Sequence, residues 1–215
     1  MDALISSVAV LGRKYNWKKK YAHRKYSQIY VFRHGHTSFN ELHQFCGWRN
    51  SKLTSKGKQD AKIIAKKLNL KKIDIAFHSS LSRSCETLHI VMGRHKECKV
   101  VLGDDRLIER CYGDLEGKSH AWFVKKYGEK ELHRIRRGYS VKPPGGESIK
   151  DVEKRVKSFL KDLLFVCCEY KVNVALSVHG NSMRPLRRYF EKLSVKEMMS
   201  LENPWDDVFV YKVRV

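Results

Sequence analysis

Apolar residues recur along the chain in two periods that take turns. Gln28-Ile29-Tyr30-Val31-Phe32 is a β-branched and aromatic run that predicts a short buried strand, stopping at Arg33-His34-Gly35-His36-Thr37. From Leu53 the spacing changes. Ala61, Ile64, Ala65 and Leu68 share one face of a helix that Thr54 is placed to cap. Residues 73–77 predict a second strand, followed by His78-Ser79-Ser80-Leu81-Ser82-Arg83 and a helix through Met92; residues 99–102 predict a third. Residues 109–146 are polar and irregular, with helix expected over 121–127 and 130–136 and a break at Pro143-Pro144-Gly145-Gly146. Ser148 is placed to start a helix running to about residue 165, with Val152, Val156, Phe159, Leu160 and Leu163 on one face. Residues 172–178 form the next strand, ending at His179-Gly180-Asn181-Ser182; a helix and a closing strand over 208–213 come after it. Strands alternating with helices predict an α/β fold, a three-layer α/β/α sandwich with a mostly parallel central sheet.

Composition narrows the function without choosing it. The 215 residues, 42% of them apolar, support one compact domain over 27–215, preceded by a basic extension over 1–26. The first twelve residues are apolar for too short a stretch to span a bilayer and lack a basic start. Arg13, Lys14, Lys18, Lys19, Lys20, Arg24 and Lys25 come next, so residues 1–26 are expected to be solvated and loosely packed beside the domain. Lys and Arg total 44 against 23 Asp and Glu, a formal charge of +21. That balance attracts polyanions: phosphorylated metabolites, nucleic acid or acidic membranes. The six cysteines contain no C-x-x-C pair, and Cys167 and Cys168 are adjacent. Neither a zinc site nor a disulfide scaffold fits; free thiols in a reducing cytoplasm do.

Three polar clusters stand immediately after three predicted strands: Arg33-His34, the stretch leading to Arg83, and His179. Open α/β sheets bind ligands at the carboxyl ends of their strands, which would bring these clusters to one site. Arginine offers a forked donor suited to a phosphoryl group, and helix N-termini add backbone N–H groups. A histidine inside such a ring is a nucleophile when one nitrogen is unprotonated and the other orients it. Gly35 would let the backbone come close to a phosphate. Glu109 is a candidate proton donor and acceptor for the substrate oxygen, or else a surface partner of Arg110.

These residues resemble the histidine phosphatase superfamily and, within it, the 2,3-bisphosphoglycerate-dependent phosphoglycerate mutases. The resemblance runs from about Ile29 to Val213 and is carried by Leu53-Thr54-Ser55-Lys56-Gly57 and five further stretches. They are Phe32-Arg33-His34-Gly35-His36-Thr37-Ser38-Phe39-Asn40, Phe45-Cys46-Gly47-Trp48, the segment around Arg83, Glu109-Arg110-Cys111-Tyr112-Gly113, and His179-Gly180-Asn181-Ser182-Met183-Arg184. The resemblance implies His34 as the phosphorylated nucleophile and Glu109 as the acid and base. Arg33, Arg83 and His179 would clamp the transferred group, with Asn40 and Asn181 beside them. Tyr112, Arg136 and Arg137 would hold the carboxylate and second phosphate of a glycerate, and Cys46-Gly47 would touch the substrate.

The same resemblance implies a mutase interconverting 3-phosphoglycerate and 2-phosphoglycerate in glycolysis and gluconeogenesis. Its phosphoryl donor would be 2,3-bisphosphoglycerate, with no metal. Its partner would be a small phosphorylated metabolite, its form a homo-oligomer in the cytoplasm, with no obligatory nucleic-acid or membrane partner. The sequence departs from the family where His36 replaces a glutamate and where His120, with Lys118 two residues earlier, replaces the lysine closing the pocket. The C-terminal flap is also trimmed. These departures favour water, so the alternatives are a histidine phosphatase of a small metabolite and a catalytically weak basic module binding nucleic acid or membrane.

Overall fold

The computed structural model describes residues 3–215. Five strands form one sheet: β1 (Tyr26–Arg33), β2 (Ile75–His78), β3 (Val100–Gly103), β4 (Val174–Val178) and β5 (Val208–Arg214), in the order β3-β2-β4-β1-β5. All neighbouring pairs are parallel except β1 with β5, which closes one edge antiparallel. Parallel strands need helical crossovers. Helices α1 (Ala3–Lys14) and α2 (Trp17–Lys20) precede β1, and the crossovers begin with α3 (Ser38–Glu41), α4 (Ser55–Leu68) and α5 (Ser82–Met92). After β3 come α6 (His120–Tyr127), α7 (Glu129–Arg137) and α8 (Ile149–Tyr170); α9 (Gly180–Glu191) and α10 (Val195–Ser200) succeed β4. The short α3 and α10 have no apolar periodicity long enough to be read from the sequence.

Strand alternation sends side chains to two cores. Ile29, Val31, Ile75, Phe77, Val174 and Leu176 face α8 and Met183 and Leu186 of α9. Tyr30, Phe32, Ala76 and Ala175 face Ile64 and Leu68 of α4 and Leu88 and Val91 of α5. Three layers result, as the period-2 and period-3.6 patterns require. Thr54 caps α4 through Gly57 N, and Ser148 with Asp151 forms a capping box at the start of α8. A third cluster, Phe45, Tyr112, Leu115, Phe123, Leu132 and Ile135, anchors α6 and α7 beside the sheet's carboxyl edge.

The leader differs from the loose extension its charges suggested. Val8, Trp17 and Tyr21 are buried in the main core, and Trp17 packs edge-on against Tyr170 with ring centroids 6.0 Å apart. A Cβ on Gly12 would stand 2.5 Å from the Tyr170 ring, so the glycine permits that approach. The basic residues lie outward while sparse apolar ones point in, an arrangement that a charge count hides. Trp17→Ala should therefore cost about 3–5 kcal/mol of folding stability, read from the urea midpoint. Among the described residues no helix is long and apolar enough to cross a membrane, and none of the six cysteines is in a disulfide.

Candidate active site

The polar clusters meet at the carboxyl ends of β1, β2 and β4. Arg33 is in register with Val178, so His34 and His179 leave adjacent parallel strands side by side, their ring centroids 5.0 Å apart. The next long helices, α4 and α9, lie on opposite faces, so the two loops part and leave a crevice. Gly35 serves a different contact from the one expected. A Cβ there would stand 2.1 Å from the Gly57 carbonyl, so its bare backbone lets the loop carrying His34 press against the start of α4.

His34 is only 2% exposed. Its Nδ1 lies 2.8 Å from the Gly35 carbonyl, which can only accept, so Nδ1 carries the proton and Nε2 keeps its lone pair. Burial, reinforced by the charges of Arg83 and Arg33, holds His34 well below its ordinary value of 6.5. A neutral, oriented imidazole is the form that attacks phosphorus. His179 is fully buried, with Nε2 2.7 Å from Ser79 Oγ. Burial, then Arg83, lowers it in the same way. Ligand atoms of His34, Glu109 and His179 lie within 4.8 Å of one another. Two guanidinium groups flank that cluster, a field that favours an anion over a cation.

The arginines are fixed by backbone. Arg83 donates to Arg49 O at 2.9 Å and Gly47 O at 2.8 Å. Arg33 donates to Asn203 O at 3.0 Å and stacks 4.2 Å from the Trp205 ring centre. Arg33 Nε, Arg83 Nε and His179 Nδ1 are buried without a hydrogen-bond partner among the described residues. Buried polar atoms are seldom left unpaired, so three such atoms around His34 mark a site built for a polar ligand. Glu109 Oε1 accepts from Arg110 N at 2.8 Å and Asn181 N at 3.1 Å, while Oε2 has no hydrogen-bond partner among the described residues. The surface pairing of Glu109 with Arg110 does not form: the fully buried Arg110 guanidinium donates instead to the carbonyls of Glu147, Ile135 and Val141.

Above this floor opens a cavity of about 150 Å³. Arg33, Asn40, Cys46, Glu109, Tyr112, His120, Arg136, Arg137 and Asn181 line it. Gly47 stands behind the wall, its left-handed backbone (φ +53°) presenting a carbonyl to Arg83. His120 is neutral, lowered to about 4 by burial and by Arg136. Lys118 lies 4.7 Å over the Trp122 ring and is not part of the lining, so neither residue brings a cation to the cavity. Arg137 is paired with Glu202 at 2.5 Å, whereas Arg136 has no acidic partner among the described residues.

Sequence reasoning missed several parts. Arg184 lines the cavity and donates to Met198 O and Met199 O, each at 2.8 Å; burial and Arg137 lower it to about 10. Its spacing of three from Asn181 on one helix face was the available signal. Arg155 donates to the backbone of Ile108 at 2.7 Å and Glu109 at 3.0 Å, steadying the carboxylate segment from α8. Asn203 and Trp205, which hold Arg33, arrive from a distant loop without a local pattern.

The sequence profile of the histidine phosphatase superfamily (branch 1) matches residues 29–214. The chain belongs to that superfamily. As a histidine phosphatase superfamily member it is an enzyme acting on phosphate groups. It is 32% identical to the 2,3-bisphosphoglycerate-dependent phosphoglycerate mutase of Chlamydia caviae, over 85% of this chain and 92% of that protein. The corresponding mutase of Mesorhizobium japonicum is 38% identical, over 81% and 86%. Among solved structures, Bacillus stearothermophilus YhfR superposes with a TM-score of 0.76 at 26% identity, over 86% of this chain and 90% of that one. A mycobacterial glucosyl-3-phosphoglycerate phosphatase gives 0.72 at 26%, over 82% and 85%.

The buried histidines of this superfamily member carry a pH signature. His34 and His179 are held well below 6.5 when folded, and His120 at about 4. Below 6.5 the unfolded chain binds protons that the native state refuses, so stability is full above that pH and falls as pH drops. The slope is up to ~1.4 kcal/mol per pH unit for each histidine. The urea midpoint should fall between pH 7 and pH 5.5; a flat midpoint would show that the rings are not neutral when folded.

Proposed function

We propose that this enzyme is a 2,3-bisphosphoglycerate-dependent phosphoglycerate mutase. The observation carrying this reading is a second set of cations in the same cavity. Arg33, Arg83 and His179 surround His34 at the floor, while Arg136, Arg137 and Arg184, with Tyr112, line the wall. A monoester phosphatase has to fix one phosphate. A mutase must keep a doubly charged intermediate bound while it turns, which calls for fixed charge at both ends. 2,3-Bisphosphoglycerate supplies the phosphoryl group that charges His34. His34 Nε2 accepts it, the inner arginines neutralise its oxygens, and Glu109 exchanges a proton with the glycerate oxygen as the group returns to the other hydroxyl. The relatives named as mutases support this reading, and six unbonded cysteines suit a reducing cytoplasm as its setting.

A phosphatase is the second reading. It is favoured by the missing pocket cation, since His120 is neutral and Lys118 lies over Trp122. The likeness to a glucosyl-3-phosphoglycerate phosphatase points the same way. The test supplies 3-phosphoglycerate with and without the bisphosphate and tracks 2-phosphoglycerate and free phosphate together. Isomer formed only with bisphosphate, and little phosphate, supports the mutase; phosphate without isomer overturns it. Within that assay, replacing Arg136 and Arg137 by alanine should lower isomer formation about 10²-fold while changing p-nitrophenyl phosphate hydrolysis by less than about threefold.

A further inference from the structure

The amino-terminal end of the sheet, opposite the catalytic crevice, carries two adjoining concave surfaces. One, of about 820 Å³, is bordered by Lys20, Lys71 and Lys72 beside the starts of β1 and β4. The other, of about 490 Å³, lies between α4 and α5 and is bordered by Lys62, Lys66 and Arg94. Asn69 lines both, so they form one continuous track. All six cations are exposed, and none has an acidic partner among the described residues. The two acids in the larger hollow are engaged: Asp74 by Tyr21, Arg24 and Asn173, and Glu97 by His95.

We propose that this track binds the phosphate backbone of a nucleic acid. Six unpaired cations along connected grooves repel one another, and a strand with regularly spaced phosphates relieves that repulsion while releasing its own counterions. A concave course suits a strand or duplex better than a flat bilayer. Membrane docking also needs an apolar fringe to insert, and here Leu70, 91% exposed, is the one fully exposed apolar side chain, with Ala65 and Ile90 half-buried between α4 and α5. The one exposed ring lining the track is the His23 imidazole, with Tyr21 and Tyr30 buried, so base stacking contributes little and binding follows the backbone, largely independent of sequence. Because His34 and Glu109 lie at the other end of the strands, an occupied track leaves the catalytic cavity open.

The test is fluorescence anisotropy of labelled mixed-sequence RNA and duplex DNA oligonucleotides with the full chain over a range of salt, alongside flotation with phosphatidylserine vesicles. Four to six phosphate contacts would give a log–log salt slope of about −3 to −5. Lys66→Glu, Lys71→Glu and Lys72→Glu together should weaken binding by at least about 10²-fold and leave phosphoryl transfer unchanged, which also reports that the variant folds. A milder Lys→Gln set at these positions should give a smaller loss in the same direction. The control reverses Lys150, Lys154 and Lys161, exposed on α8, with the same change in net charge, and should weaken binding several-fold less. Equal losses from both triple variants, a slope near −1, or vesicle binding without oligonucleotide binding would each overturn the proposal.

Discussion

Replacing His34 with alanine is expected to remove turnover of every phosphate ester by at least about 10⁴-fold, with the fold retained. The expectation rests on how the ring is held rather than on its presence alone. Nδ1 is tied to the Gly35 carbonyl, so Nε2 is left as the only nucleophilic atom, and burial with two neighbouring guanidinium groups keeps it unprotonated. Water offers no comparable route if, as proposed, the first step forms a phosphorus–nitrogen bond at Nε2. Loss should appear equally in isomer formation and in hydrolysis of p-nitrophenyl phosphate, since both begin at His34. Retained turnover in either assay would mean that phosphoryl transfer does not pass through this residue.

The second large effect is expected at Glu109, and it should depend on the substrate. Its Oε1 is committed to Arg110 N and Asn181 N, while Oε2, with no partner among the described residues, is placed to exchange a proton. An alkoxide is a poor leaving group and needs that proton; nitrophenolate leaves without it. Glu109→Gln should therefore slow transfer from the phosphoglycerates by roughly 10²–10⁴-fold and hydrolysis of p-nitrophenyl phosphate by much less. The comparison separates proton transfer from simple positioning. A side chain that merely held the substrate would lower both reactions together, and glutamine would restore most of the loss.

Much of this was legible in the chain because the site is built on strand ends. A strand announces itself by its apolar run, and the polar residues directly after it fall at the carboxyl edge of the sheet; that β1 pairs with β4, setting Arg33 beside Val178 and His34 beside His179, is supplied by the fold. The same logic found the caps at Thr54 and Ser148. What escaped was long-range and irregular. Asn203 and Trp205 reach Arg33 across about the whole chain, and nothing near them in sequence says so. Arg110, beside Glu109, looked like a surface partner, yet it is buried on three carbonyls that assemble the loop before α8. The leader was misjudged for a related reason. Seven basic residues dominate its composition, whereas its packing is decided by Leu4, Val8, Leu11 and Tyr15, which recur at helical spacing, together with Trp17 and Tyr21; the charge count drew attention away from that period.

The lysine that closes the pocket in relatives bears on the balance between the two readings. Without it, the wall depends on Arg136, Arg137 and Arg184, and Glu202 already offsets one of them. A pocket with less fixed charge releases a bound bisphosphate more readily and admits water more often. The ratio of isomerisation to hydrolysis is therefore expected to be lower than in an enzyme with that lysine, and His120→Lys should raise it.

The most direct measurement is a pulse and chase. The protein is labelled briefly with radioactive 2,3-bisphosphoglycerate, freed of excess donor, and mixed with unlabelled 3-phosphoglycerate or with buffer. Acid-labile label that depends on His34 and passes mainly into glycerate phosphates on addition of 3-phosphoglycerate is the predicted result. Label that leaves as inorganic phosphate at the same rate with or without 3-phosphoglycerate would contradict the mutase and leave a phosphatase in its place.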